Sequence, residues 1–118
     1  ADSPDGQLVD IAVTVSPGEV GGVAANVNRW RGQIGLAPLA EEAAATLATP
    51  IAINGAAASV VDLAGDEPPA GRAHPQRMIV VTIPHAGYSW FFKMTGDAPL
   101  VERHRARFLG FAQSVRFP

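Results

Sequence analysis

Three histidines, a serine close to a histidine, and a run of amides and guanidinium groups are the residues of this chain that bear on chemistry. His74 stands in a Pro- and Gly-rich stretch, His85 in a turn sequence, and His104 within an apolar helical arc. No two of them have ligand spacing such as i, i+4, so a metal site is not expected. His104 reads as a hydrogen-bonded, partly buried side chain and His85 as a turn residue. Ser89 lies near His85 but lacks the Gly-x-Ser-x-Gly context of an activated nucleophile. The chain has no cysteine, which excludes disulfides, thiolate catalysis and cysteine zinc sites. No cofactor and no enzymatic activity are expected.

The most distinctive polar stretch is Asn26-Val-Asn-Arg-Trp-Arg31. On a helix, Val27 and Trp30 turn inward. Asn26, Arg29 and Gln33 share a second face, and Asn28 and Arg31 a third. One reading has the asparagines capping neighbouring backbone and the arginines pairing with acids. The other makes Asn26, Asn28, Arg29 and Arg31 a recognition face for a protein or a small anion.

A second candidate surface is the arginine edge of the last helix, Arg103, Arg105 and Arg107. Charge is unevenly spread along the chain. Residues 1–70 hold nine acids against Arg29 and Arg31, whereas residues 71–118 hold seven bases against Asp97 and Glu102. Either the halves neutralise each other in the folded domain, or the basic helix edge docks on an acidic partner. A net charge of −2 gives no general affinity for nucleic acid. No apolar run approaches the roughly 18 residues of a spanning helix. Membrane contact is therefore expected to be peripheral, or through an N-terminal anchor not seen in this sequence.

The elements that position these residues follow from periodicity. Arg77–Ile83 is a β-branched strand with both faces apolar, Met78, Val80 and Thr82 on one side and Ile79, Val81 and Ile83 on the other, as in a central strand covered on both sides. A turn through Pro84–Gly87 leads to a strand Tyr88–Met94. Its face Tyr88, Trp90, Phe92 and Met94 requires burial. Asp97 as N-cap and Pro99 in the first turn open a helix to about Val115. Leu100, Val101, His104, Phe108, Phe111, Ala112 and Val115 form its apolar arc. This helix is expected to lie on the aromatic strand face.

Upstream, Ala1–Gly6 is expected to fray, and Gln7–Val15 is a strand with Val9, Ile11, Val13 and Val15 as its core face. Ser16, Pro17 and Glu19 read as a capping box opening a helix from Pro17 to about Gln33. Gly21 and Gly22 allow close approach to the sheet, or open an anion site that Glu19 argues against. A second helix spans Pro38–Leu47. Ile51–Ile53, Asn54-Gly55 and Ala56–Leu63 form a hairpin, and 64–76 is a long surface loop. The 118 residues make a single α+β domain, order β-α-α-β-β-β-β-α, with a mainly antiparallel sheet and helices on both faces.

Two stretches carry a resemblance. Gly21-Gly22-x4-Asn-Val-Asn-Arg-Trp-Arg-Gly-Gln-x-Gly-Leu36 is one; Trp90-Phe-Phe-Lys-Met-Thr-Gly96 before a helix ending Phe111-x3-Val-Arg-Phe117 is the other. They resemble a family of exported bacterial proteins, often lipoproteins, whose architecture is similar to the PsbP-like α-β-α sandwich. The resemblance covers nearly the whole chain from Gln7. Members of that family carry a further N-terminal strand with a tryptophan, and a lipid-modified cysteine or signal peptide; this sequence shows neither. The resemblance implies a non-enzymatic accessory protein in the periplasm, peripheral to the membrane. By analogy with PsbP-like proteins it would be an extrinsic subunit or assembly factor of a photosynthetic or respiratory membrane complex, with protein subunits as its partners. The alternative is a small-ligand carrier or sensor with a pocket near Trp30 and Trp90.

Overall fold

The fold is described from a computed structural model, for residues 9–17, 22–68 and 74–116. Its centre is the hairpin of β4 (Gln76–His85) and β5 (Tyr88–Asp97). Met78 and Val80 enter one apolar cluster and Ile79, Val81 and Ile83 another on the opposite face, so β4 is covered on both sides as its pattern predicts. β3 (Ala56–Ala64) joins the other edge of β4, and β2 (Thr49–Ile53) lies outside it. β1 (Val9–Pro17) pairs with β5. The result is a five-stranded, wholly antiparallel sheet in the order β1-β5-β4-β3-β2.

Both hairpin turns have two residues with positive φ. Asn54 and Gly55 take φ 46° and 84°, and Ala86 and Gly87 take φ 52° and 83°. This left-handed pair matches the twist of the strands it joins.

Helices α1 (Gly22–Gln33) and α2 (Glu41–Ala45) cover one face. Val27, Trp30, Ile34 and Ala44 meet Val61, Leu63, Met78, Val80 and Phe91 there. Trp30 and Phe91 stack edge to face with centroids 5.9 Å apart. Helix α3 (Ala98–Gln113) covers the other face through Leu100, Val101, Phe108 and Ala112, against Ile79, Val81, Phe92 and Met94.

α3 starts where β5 ends. Its far end is tied to the β2–β3 hairpin, where Asn54 Nδ2 donates to the Val115 carbonyl. The helix thus crosses the sheet diagonally, away from β1. One helix is about 10 Å wide and strands are about 4.8 Å apart, so a helix on β4 and β5 leaves an outer strand bare.

That placement overturns one expectation. Ile11, Val13 and Val15 are not a core face: they are 58%, 48% and 49% exposed, and of that row Val9 alone is buried. The strand does alternate as expected, but among the described residues no helix or strand lies over Ile11, Val13 and Val15.

Three boundaries also differ. Ser16 and Pro17 continue β1 opposite Ser89 and Tyr88, so no helix opens at Pro17. The described part of α1 begins at Gly22, and Glu19 and Gly21 lie outside the described residues, as do Ala1–Gly6. α2 is only five residues long because Leu39 is held in an extended segment by Asn28. Asp97 occupies the N-cap position of α3 but makes no capping hydrogen bond with its side chain; its Oδ1 accepts from Gln76 Nε2 at 2.8 Å. Pro99 does lie in the first turn of α3.

Candidate functional site

The Asn26–Arg31 face is engaged within the fold. Asn28 clamps the segment between α1 and α2: its Nδ2 donates to the Leu39 carbonyl at 2.9 Å, and its Oδ1 accepts from the Leu39 N–H at 2.8 Å. Arg31 Nε donates to the Ala37 carbonyl at 2.9 Å. Asn26 is buried, and its Oδ1 accepts from Arg29 Nη1 at 2.9 Å. The Arg29 guanidinium also lies 5.8 Å from the Trp30 ring centre. Asn28 therefore follows the reading in which the asparagines satisfy neighbouring backbone, whereas Arg31 bonds a backbone carbonyl instead of the acid that reading gave it. Arg29 remains exposed, beside an open cleft of about 300 Å³ that Thr14, Ser16, Gln33 and Lys93 also line.

The three arginines of α3 separate onto two flanks. Arg105 faces β3 and joins Asp62, Arg77 and Glu102 in a four-residue ionic network. Arg77 forms a two-pronged bridge to Asp62, Nε to Oδ1 at 2.9 Å and Nη2 to Oδ2 at 2.7 Å, and also pairs with Glu102. Arg105 Nε reaches Asp62 Oδ2 at 3.4 Å. Burial pushes the Asp62 carboxyl up, but Arg77 and Arg105 together hold it below its ordinary range. The Arg77 pKa is raised, chiefly by the hydrogen bonds it donates to Asp62 and then by Glu102, against the opposing effect of burial.

Arg103 and Arg107 stand on the other flank, toward β1. Neither makes an ion pair with a described residue. Beside Arg107 lies a groove of about 530 Å³ between α3 and β1. Val9, Ile11 and Met94 form its floor, and Phe108 and the half-exposed Phe111 its wall. His104 and Arg107 form its rim. Chemically it is an apolar trough under a cationic edge, suited to a ligand or segment with an apolar body and a negative charge.

Sequence reading missed this groove because Ile11 and Phe111 look like core residues by period. The available signal was the charge asymmetry at Arg103 and Arg107. Trp30 and Trp90, by contrast, do not share a pocket: they belong to clusters on opposite faces of the sheet. Trp30 and Phe91 line a small gap of about 40 Å³ on one side and also the open cleft of about 300 Å³ beside Arg29.

Among the described residues, no group of three His, Asp or Glu side chains is placed to hold a metal ion. No helix among them is long and apolar enough to cross a membrane. Comparison of the chain with protein-family models, curated proteins and solved structures returns no match.

Proposed function

We propose that the protein is a non-enzymatic accessory module, an extrinsic subunit or assembly factor that docks on a protein of a bacterial membrane complex, photosynthetic or respiratory, from the periplasmic side. The observation that carries the docking surface is the apolar trough between α3 and β1 under Arg107 and His104, with the exposed Arg103 one helical turn before Arg107. A monomeric domain gains nothing from leaving three β-branched residues of one strand in water, and apolar patches rimmed by polar groups mark interaction sites. The rim sets the partner's chemistry: an acidic segment with apolar side chains to fill the trough. The resemblance implies a PsbP-like sandwich, with which a five-stranded antiparallel sheet between helices is compatible, and the extrinsic-subunit reading follows from it by analogy alone.

The test is co-sedimentation with membranes from the cells that make the protein, before and after a high-salt wash. A photoreactive side chain at position 11 reports what lies in the trough. The proposal expects sedimentation that salt releases, and a crosslink to a membrane-complex subunit through an acidic segment. A protein that stays in the supernatant at every salt concentration contradicts it.

A further inference from the structure

β1 has a second unusual side: its outer edge. It is nine residues long, and its pairing with β5 runs one to one from Val9–Gly96 to Pro17–Tyr88 with no bulge. Among the described residues no strand lies on that outer edge. Edge strands are normally guarded by short length, lysine, inward charges, bulges or proline. The opposite edge of the sheet is guarded in this way, since β2 has five residues with Pro50 among them. β1 carries neither lysine nor arginine, and its proline is its last residue.

We infer that a second copy of this chain pairs with the outer edge of β1, strand to strand and antiparallel, about a two-fold axis at Val13. This inference goes beyond the docking proposal and does not depend on it. The nine residues are self-complementary in that register. Val13 meets Val13 of the other copy, and Ile11 meets Val15, so the exposed apolar row becomes a continuous row of six across the two-fold. Ala12 meets Thr14. No like charges face one another, because Asp10 lies opposite Ser16.

Charge decides for a second copy over an unrelated strand. Asp10 is exposed and makes no ion pair with a described residue. Ser16 lines the cleft that holds Arg29, a guanidinium whose described partners are Asn26 and the Trp30 ring, with no acid among them. Placing Asp10 of one copy opposite Ser16 of the other brings each acid to the other copy's Arg29 cleft. The pairing is isologous, so it closes as a dimer, and the guarded β2 edges stop further growth.

The full chain, studied by sedimentation velocity over a range of concentrations, is expected to be a dimer. Val13→Lys puts two ammonium groups face to face on the axis and is expected to give a monomer with unchanged far-ultraviolet circular dichroism. Asp10→Arg is expected to weaken the dimer about tenfold. Arg29→Asp combined with it restores the attraction with the signs reversed, which guards against a variant that merely misfolds. A monomer at all concentrations overturns the inference. So does a dimer that survives Val13→Lys, a dimer indifferent to Asp10→Arg, or an open-ended oligomer.

Discussion

Ala86 is the one non-glycine residue besides Asn54 described with positive φ, at 52°. An L-residue with a Cβ is disfavoured there by about 1–2 kcal/mol, and asparagine tolerates the conformation better than alanine. The hairpin at 54–55 already uses Asn-Gly for the same backbone, which made that turn readable in advance. At 86–87 the Ala-Gly pair gave no such signal; Pro84 and Gly87 marked a turn, but Pro84 and His85 belong to β4 and the turn itself is Ala86-Gly87. Ala86→Asn is expected to stabilise the protein by about 0.5–1 kcal/mol. Urea unfolding checks it: the midpoint should rise with an unchanged slope. Asp62 is the other informative residue. Its carboxyl is held below its ordinary range in the folded protein. Its contribution is therefore complete above the unfolded-state value, about 3.9, and is lost as pH falls through the lower folded value. Asp62→Asn should cost about 0.5–1 kcal/mol at pH 7, the range of well-aligned ion pairs near the surface. The deficit should vanish in strong acid, and thermal unfolding at a series of pH values would show it.

At the scale of elements, hydrophobic period identified strands and helices well where two layers meet. The β4–β5 hairpin and α3 were legible because each has apolar residues at one clear spacing, and the 54–55 hairpin because of its Asn-Gly turn. Period fails to say whether anything covers the apolar side it detects. β1 alternates cleanly, yet its position at the end of the sheet, set by long-range pairing with β5, leaves Ile11, Val13 and Val15 in water. Likewise, a Pro-initiated, alanine-rich stretch suggested a helix over Pro38–Leu47. The observed α2 is shorter because one side chain eleven residues away fixes Leu39 in an extended conformation. That contact is tertiary and has no local signature. It also makes Asn28 the linchpin of the α1–α2 layer. Asn28→Ala leaves a partly buried N–H and C=O of Leu39 without their partners, at a cost of about 1–3 kcal/mol. Hydrogen exchange should quicken in α2 first, before β4 and β5 are affected.

The whole molecule turns a linear charge pattern into two distinct surfaces. Arg103, Arg105 and Arg107 read as one basic edge in sequence. Helical geometry and the diagonal path of α3 send Arg105 into the network with Asp62, Arg77 and Glu102, and leave Arg107 on the rim of the trough beside β1 with the exposed Arg103 one turn before it. Asp62 of the acidic first half therefore meets Arg77 and Arg105 of the basic second half on the β3 side of α3, while Arg103 and Arg107 stay exposed without an ion pair to a described residue. Neither outcome was legible separately, because both follow from which strand lies under which flank of the helix.

This separation gives the most direct test of the docking surface: membrane binding measured side by side for Arg103→Gln/Arg107→Gln and for Arg105→Gln. The double variant is expected to keep its thermal stability and lose about tenfold or more in affinity, with a weaker dependence on salt. Arg105→Gln is expected to bind like the unaltered protein while losing a fraction of its stability. Equal binding by all three proteins, or a greater loss for Arg105→Gln than for the double variant, would contradict the trough beside β1 as the docking surface.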